Sequence, residues 1–294
     1  MDKNINNLIF LVYKENYAGL CNQLYLITNH ITNAIEKNTK IYIPKINIDI
    51  FRNKRVPLNE VIDISKTNKN INIFLNKDIN ILCDILPPGM DWYTPNLNVY
   101  PVKNISILNC IEFQKKFKID IKEKYNAIHF RLDIDCIVSY LYPDKYNYFM
   151  DLSFNDKLNH SQILGKSEEV INYCHYLLKQ YFDFITTIGF DLPFYICNTI
   201  EKDIVHDSVL WTLNTIINFI ERKGGKIIKS FKYHSERELN ALVDLLILRD
   251  CNSMIGFEGS SFSEGYVYKV NSIRAPGKKY YFVNGSVPIN SSNL

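Results

Sequence analysis

Residues 125–135 read YNAIHFRLDID, a run of mainly apolar positions that ends in a cluster of charged side chains. The apolar part predicts a buried β-strand. In an extended chain, alternate side chains lie on the same face. Four ionisable residues would then share one face of this segment: His129, Arg131, Asp133 and Asp135. Such a grouping at a strand end is costly unless the side chains meet a ligand or one another.

After this strand, helix and strand patterns alternate along the chain. Apolar residues recur at helical spacing three times, and a short apolar run follows each time. Helices are predicted after the cap Ser167, at 207–222 up to Gly224-Gly225, and after the capping box SERE at 235–238. Strands are predicted at 193–197, 226–228 and 253–256. This alternation predicts an α/β fold with a parallel sheet covered by helices.

The N-terminal part of the chain begins with the same kind of alternation. An apolar run at 8–12 and a turn-like NYAG at 16–19 precede apolar residues at helical spacing, and a second strand is predicted at 40–43. This is a β-α-β pattern. Residues 47–101 carry only short Ile-rich runs broken by prolines, and we expect insertions around a small sheet there.

The composition is typical of a soluble globular protein, because 47% of the 294 residues are hydrophobic and 22% are charged. This length accommodates two domains or one large α/β unit. With 34 Lys and Arg against 31 Asp and Glu, the net charge is +3, and no dense basic block accompanies it. We therefore expect no nucleic-acid partner.

Seven cysteines are spread singly through the chain, with no C-x-x-C pair and no histidine spacing typical of zinc sites. We expect free thiols. The first residues lack the apolar core and cleavage site of a secretory signal, and no apolar run reaches the roughly 18 residues of a membrane span. The sequence therefore predicts a cytoplasmic protein without a membrane-spanning segment.

Two further polar clusters follow predicted strands. Residues 19–23, GLCNQ, start the first helix: Gly19 permits a tight turn, and Asn22 and Gln23 can offer amide donors. Residues 256–263, GFEGSSFS, form a Gly- and Ser-rich turn whose N–H groups and hydroxyls suit an anion at a helix N-terminus. Each of these clusters is also consistent with an ordinary helix cap.

The charged cluster at 129–135 has two interpretations. The guanidinium of Arg131 is a permanently charged fork that suits a diphosphate. Alternatively, Arg131 and the aspartates form an ion-pair network that holds the strand end.

Taken in order, the three clusters resemble motifs of the GDP-fucose-dependent fucosyltransferase superfamily, which includes protein O-fucosyltransferases and α1,2- and α1,6-fucosyltransferases. Residues 19–24 are similar to its G-x-x-N-Q segment, with Cys21 where a glycine is usual. Residues 129–135 are similar to H-x-R-x-x-x-D of the O-fucosyltransferases, and Asp133 also fits H-x-R-x-D of the α1,2 branch. Residues 256–263 are similar to G-x-x-x-S-S-F-[ST].

The resemblance implies a GT-B fold with two facing Rossmann-like domains, GDP-fucose in the cleft and no metal. On this basis residues 1–123 form an N-terminal, acceptor-side domain and residues 124–264 a nucleotide-sugar-binding domain. Residues 265–294 form a C-terminal segment that packs back on the N-terminal domain. Asp133-Ile134-Asp135 also matches the D-x-D that binds Mn²⁺ in another class of glycosyltransferases, but the nearby Arg131 disfavours a divalent cation.

Carried over residue by residue, the resemblance assigns Arg131 to the β-phosphate, where it stabilises the leaving GDP as a metal does elsewhere. Arg131 is thus the expected catalytic residue. His129 and Asp135 would orient the nucleotide, and Asn22 would contact the phosphate or sugar of the donor. Backbone N–H groups of the third motif would cradle the diphosphate. The expected donor-binding residues are Gly19, Asn22, His129, Asp133, Asp135, Asn252, Ser260, Ser261 and Phe262.

Two positions depart from the family pattern. The family often has an aspartate four residues before the glycine of the third motif as a guanine contact, and this chain has Asn252 there. The first motif lacks the acidic residue that acts as the base in one O-fucosyltransferase branch, and Glu15 lies nearby but out of alignment. Glu258 is a second candidate for activating the acceptor hydroxyl.

The sequence therefore predicts an inverting glycosyltransferase that transfers fucose from GDP-fucose to a hydroxyl of a glycan or protein acceptor, without a metal cofactor. Two alternatives stay open. The donor could be another nucleotide sugar, such as GDP-mannose, GDP-rhamnose or a UDP- or dTDP-sugar, because Asn252 does not match the guanine contact. A catalytically inactive module of the same fold could instead bind a nucleotide or a glycan.

Overall fold

A computed structural model describes residues 8–10, 19–36, 40–43, 45–49, 54–76, 81–82, 104–132, 134–152, 156, 167–198, 207–228 and 234–286. The chain divides into two compact units. Unit 1 comprises Met1–Ile119, Lys232–Leu246 and Lys269–Pro276, and unit 2 comprises Asp120–Phe231, Ile247–Tyr268 and Gly277–Leu294. Both units combine parallel strands with helices, which confirms the predicted α/β class. The domain boundaries inferred from the sequence stay a prediction.

Unit 1 holds the predicted β-α-β pattern and a hairpin. Its strands are β1 (Leu8–Phe10), β2 (Lys40–Tyr42), β3 (Lys45–Asp49), β4 (Lys54–Pro57) and β5 (Ile81–Leu82). Its helices are α1 (Leu20–Glu36), α2 (Ile64–Leu75) and α3 (Ile105–Cys110). β1, β2 and β5 form a parallel sheet in the order β1-β2-β5, and β3 pairs antiparallel with β4. The weakly patterned region 47–101 thus contributes a hairpin and a helix.

The first helix of unit 1 is buried along most of its length. Fourteen of the fifteen residues from Leu20 to Ala34 are buried, with Asn22 as the exception, and they include polar side chains. Thr28 and Thr32 satisfy their hydroxyls by donating to the backbone carbonyls four residues earlier in α1. His30 is buried as well, and its Nδ1 has no hydrogen-bond partner in the described part of the chain. α1 therefore carries polar groups into an interior that most helices fill with apolar ones.

Unit 2 is built around the strand that opens residues 125–135. Its strands are β6 (Asn126–Phe130), β7 (Phe194–Asn198), β8 (Ile227–Ile228), β9 (Ser253–Phe257) and β10 (Lys279–Val283). Its helices are α4 (Ile134–Leu141), α5 (Tyr146–Asp151), α6 (Glu168–Ile188) and α7 (Asp207–Arg222). Two further helical segments are shared between the units: α8 (Arg237–Asp250), and a π-helical turn (Ser263–Tyr268) that runs on into α9 (Lys269–Arg274).

The sheet of unit 2 has the strand order of a doubly wound fold. Its described strands are all parallel and lie in the order β10-β9-β6-β7-β8. Successive strands are added from β6 on one side through β7 to β8, and the chain then returns to the other side of β6 with β9 and β10. This is the order 3-2-1-4-5, whose topological switch point lies between the first and fourth strands. Here the switch point lies between β6 and β9.

The core of unit 2 covers both faces of the central strands. Every residue of β6 and β9 is buried, as a parallel sheet with helices on both sides requires. Phe130 and Phe257, at the carboxyl ends of these strands, belong to one apolar cluster with residues of α6 and α7. The two strand ends that carry the predicted motifs are therefore fixed by packing.

Local signals in the sequence identified the helices of unit 2 well. Ser167 caps α6 by accepting a hydrogen bond from the Val170 N–H at 3.3 Å. α7 covers 207–222 as predicted, and Gly224 beyond it adopts φ of 83°. In contrast, the sequence pattern does not predict β10 or the short helices α4 and α5. The capping box also differs, because α8 begins at Arg237 and the Glu238 carboxylate accepts from the N–H of the distant Leu20 and from the guanidinium of the adjacent Arg237.

The expected alternation after β6 is wrong. The strand ends at Phe130, and α4 begins at Ile134, so the chain is not extended as far as Asp135. Asp135 lies in the first turn of a helix, where residues two apart do not share a face. The predicted grouping of four charges on one strand face is therefore wrong for Asp135. Asp133 lies outside the described residues.

Two broader expectations concern cysteines and membranes. The six cysteines in the described part of the chain are buried, and none forms a disulfide. Within the same part, no helix combines the length and apolar character needed to cross a bilayer.

We predict that His30 makes stability fall in mild acid. Burial lowers the pKa of His30 from 6.5 to about 4. Between these values the unfolded chain binds a proton that the folded chain excludes, so the free energy of unfolding decreases as pH falls through this window. At 1.36 kcal/mol per pKa unit, the loss between pH 7 and pH 4 is roughly 3 kcal/mol.

The measurement is urea denaturation at several pH values with wild type and His30→Leu. The variant should lose this part of the pH dependence. His175→Gln, which removes an exposed histidine of α6, is the control and should retain it. Parallel pH profiles for wild type and His30→Leu would contradict the assignment.

Candidate functional site

The predicted second and third motifs follow neighbouring strands of the unit 2 sheet. β6 leads into Arg131, and β9 leads into the turn 258–262. The register pairs Ala127 with Met254 and Ile128 with Ile255, so both strands end at the same edge. Ligands of open α/β sheets bind outside the carboxyl ends of the strands at the topological switch point. The geometry therefore makes this edge the candidate site of unit 2.

An aromatic stack joins the two motifs. The His129 ring lies 4.9 Å from the Phe262 ring, with an angle of 28° between their planes. His129 is only 2% exposed, and its carbonyl accepts a hydrogen bond from the Tyr181 hydroxyl at 3.4 Å. Because His129 is buried under Phe262, it acts first as a support for the third motif.

Arg131 is the basic residue that follows β6 at this edge. It is half-buried, and its carbonyl accepts a bond from the Cys136 thiol at 3.8 Å. The backbone of Arg131 also hydrogen-bonds the hydroxyl of Tyr181. Burial raises the pKa of this hydroxyl well above its usual value. The backbone around Arg131 is thus anchored to α4 and α6.

The turn after β9 depends on a close approach that only glycine permits. A Cβ atom on Gly256 would lie 2.9 Å from the Ser263 Cβ and equally close to the Phe282 ring. Ser263 uses this space, because its hydroxyl accepts from the Phe257 N–H at 3.0 Å and donates to the Phe257 carbonyl at 3.3 Å. The turn is therefore closed by a buried serine that binds both backbone groups of one strand residue.

Ser260 caps the helical segment that follows the turn. Its side-chain oxygen accepts from the N–H groups of Phe262 at 3.2 Å and Ser263 at 3.3 Å, and its own N–H donates to the Phe257 carbonyl. Ser260 is only 1% exposed. The predicted phosphate donors, the N–H groups of Ser260 and Phe262, therefore have protein partners in this structure. Ser261 is half-buried and lies between them.

Acidic side chains and a tyrosine complete the edge. The Gly259 N–H donates to the Glu264 carboxylate at 2.6 Å, and the Tyr140 hydroxyl donates to the Glu258 carbonyl at 3.0 Å. Burial raises the pKa of Tyr140; the charge of Arg131 opposes this rise, while Glu258 and Glu264 add to it. The side chain of Glu258 is exposed. Charges of both signs thus act on the Tyr140 hydroxyl.

Not every predicted donor residue reaches this edge. Asn252 precedes the first residue of β9, at the amino end of the strand, where its N–H donates to the Tyr125 carbonyl at 2.7 Å. A strand rises about 3.3 Å per residue, so this end lies roughly 16 Å from the turn. The structure therefore does not bring Asn252 to the cluster. The side chain of Asp135, Asp133 and Glu15 lie outside the described residues.

The first motif belongs to unit 1 and forms the start of α1. The Gln23 side chain accepts from the Asn47 N–H at 2.9 Å and donates to the Asn47 carbonyl at 3.0 Å. Gln23, expected as an amide donor to a ligand, is therefore a buried clamp between α1 and β3. Asn22 is half-buried, and Gly19 begins the segment, with its carbonyl accepting from the Gln23 N–H.

Sequence reasoning missed three residues with clear roles around these motifs. Tyr140 lies in a helix that the sequence does not predict, Glu264 follows the last residue of the third motif, and the local pattern places Glu238 in a capping box. Tyr140 and Glu238 contact residues far away in the sequence, so no local pattern indicates these roles. Glu264 contacts Gly259, only five residues earlier, but its sequence carries no recognisable cap signal. Among the described residues, no three His, Cys, Asp or Glu side chains converge in a way that could hold a metal ion.

Comparison with known proteins gives no match: no protein-family model, no curated protein and no solved structure corresponds to this chain. Its function is therefore inferred from the motifs and from the geometry described above.

We predict that Ser260→Ala destabilises the protein by about 1 kcal/mol, within the range of 0.5–2 kcal/mol for the loss of a helix cap. The variant leaves the N–H groups of Phe262 and Ser263 without the hydroxyl that both contact. Urea denaturation measures the change. Ser272→Ala removes an exposed hydroxyl that bonds within α9 and should change stability far less. Equal losses in the two variants would show that Ser260 is not a cap of this kind.

Proposed function

We propose that the protein is an inverting glycosyltransferase that transfers fucose from GDP-fucose to a hydroxyl group of a glycan or protein acceptor. In this reaction the acceptor oxygen forms a bond to C1 of fucose from the face opposite the nucleotide. The bond between C1 and the β-phosphate oxygen breaks, its electron pair leaves with GDP, and the acceptor proton passes to a base. The β-linked donor gives an α-linked product.

The observation that carries this proposal is the stacking of His129 on Phe262 at the switch point of unit 2. These residues come from two motifs far apart in the sequence, and each motif resembles a donor-binding element of the fucosyltransferase superfamily. If the two motif matches were accidental, there would be no reason for both motifs to lie at the same edge, which is the edge where α/β sheets bind nucleotides. Their meeting there supports a nucleotide-sugar site.

Arg131 is the proposed catalytic residue. The N–H groups of the turn largely have protein partners, so a diphosphate needs a side chain to compensate its charge. Arg131 is half-exposed at the same edge, and its guanidinium can bind two phosphate oxygens at once. In the proposed reaction it stabilises the negative charge that develops on the leaving GDP. Transfer is then expected to persist in EDTA.

The remaining roles in the proposal follow the motifs. Ser261 binds the diphosphate beside Arg131, and Asn22 contacts the phosphate or sugar of the donor from the N-terminal half of a GT-B fold. Glu258 is the candidate base, because its carboxylate is exposed next to the turn while its backbone is held by Tyr140.

A second candidate function is transfer from a nucleotide sugar with another base or sugar. The position of Asn252 favours it, because the residue that should meet guanine lies at the opposite end of β9 from the turn. A third candidate is a binding module without catalysis, favoured by the lack of an aligned acid in the first motif. Release of free nucleotide from a nucleotide sugar separates catalysis from binding.

We predict that GDP and GDP-fucose raise the melting temperature, with or without EDTA. A ligand at a hundred times its Kd adds about 2.7 kcal/mol of stability, which corresponds to roughly 4 °C for a chain of this size, at an unfolding entropy of about 2.1 cal/mol/K per residue. UDP and dTDP are the comparison ligands. A shift with either of these and none with GDP would overturn the donor assignment and favour the second candidate.

We also predict that Arg131→Ala lowers the rate of GDP release from GDP-fucose by about a hundredfold or more, the effect of removing one preorganised charge from a leaving group. Its melting temperature should stay close to that of wild type, since the residue is only half-buried. Arg222→Ala removes an exposed arginine at the end of α7 and is the matched control. Near-normal GDP release by Arg131→Ala would contradict this mechanism.

A further inference from the structure

The start of α1 is capped by a side chain from a distant part of unit 1. The first N–H groups of a helix have no partner within it and favour negative charge. α1 has no acidic residue in its first turn. Instead, the Leu20 N–H donates to the Glu238 carboxylate at 2.7 Å, across 218 residues of sequence. Glu238 thus supplies the charge that the sequence of α1 does not.

The Glu238 carboxylate is held in place from the other side as well. Its second oxygen accepts from the Arg237 guanidinium at 2.9 Å, and Glu238 is only 2% exposed. Burial raises the pKa of Glu238; Arg237 and the Leu20 N–H oppose the rise, and Asp49 adds to it. A buried carboxylate carries a desolvation cost, and these two hydrogen bonds offset it.

Asn22 lies between two such buried anchors. Two residues before it, the Leu20 N–H is fixed to Glu238, and one residue after it, the Gln23 amide is clamped to Asn47 by two hydrogen bonds. Asn22 itself is half-buried, so it is the residue of this turn whose side chain is accessible. Both anchors fix the same helical turn from different elements, α8 and β3.

We propose that Glu238 is a positioning residue: by capping α1 it fixes the turn that presents Asn22 to the nucleotide sugar. This inference rests on the proposed function, in which Asn22 contacts the donor. Glu238 does not itself touch the donor, because its carboxylate is buried and engaged by Leu20 and Arg237. Its effect on donor binding therefore passes through Asn22.

A double-mutant cycle tests this route. The affinity for GDP-fucose is measured by titration calorimetry for wild type, Glu238→Gln, Asn22→Ala and the double variant. The glutamine keeps an acceptor for the Leu20 N–H but removes the charge, so we expect about fivefold weaker binding, typical of a charge at a helix terminus. In the Asn22→Ala background the same change should have no further effect. Glu236→Gln, two residues earlier and paired with Lys54, is the control and should bind normally.

The outcomes separate the inference from the proposed function. Unchanged binding by Glu238→Gln, or an equal loss in both backgrounds, would overturn the positioning role while leaving the donor assignment intact. Failure of the wild type to bind any nucleotide sugar would overturn the proposed function, and the inference with it. Melting temperatures measured alongside identify a general loss of stability, which would appear in both backgrounds.

Discussion

The parallel pairing of β6 with β9 is the interaction on which the rest of unit 2 depends. It returns the chain from one side of the sheet to the other and creates the switch point. Both strands are buried on both faces, so a slip by one residue would move each side chain to the opposite packed face and disrupt its contacts. The loops that follow them therefore meet at a fixed place. Any ligand site at this edge therefore depends on the register between β6 and β9.

The same packing limits what the turn after β9 can do. Its N–H groups are largely engaged by Ser260, Glu264 and strand carbonyls, which makes the turn rigid but leaves it few donors. A phosphate-binding loop of the usual kind relies on such donors. In this chain an anion would instead depend on a side-chain charge, and Arg131 lies at the adjoining strand end. The small net charge of the chain is compatible with one such local cation.

Sequence reasoning succeeded where the deciding contacts are local. The Ser167 cap, the positive φ of Gly224 and the extent of α7 all follow from residues within a few positions of one another. It failed where contacts between distant segments of the chain determine the structure. β6 ends at Phe130 because the chain turns into α4. The Glu238 carboxylate binds the N–H of Leu20, which belongs to α1 and not to the helix of Glu238 itself. The edge strand β10 has an ambiguous pattern, and only its pairing with β9 identifies it.

Burial divides the residues of the three motifs into two kinds. His129, Ser260 and Gln23 resemble ligand contacts because polar residues at strand ends and helix starts often bind ligands. Each is buried, however: His129 and Ser260 hold the ring or backbone of another motif residue, and Gln23 holds the backbone of β3. Asn22, Arg131 and Ser261 are half-buried, so a ligand can reach them. A motif therefore mixes supports with contacts. Substituting a support should disturb stability and binding together, whereas substituting a contact should disturb binding alone.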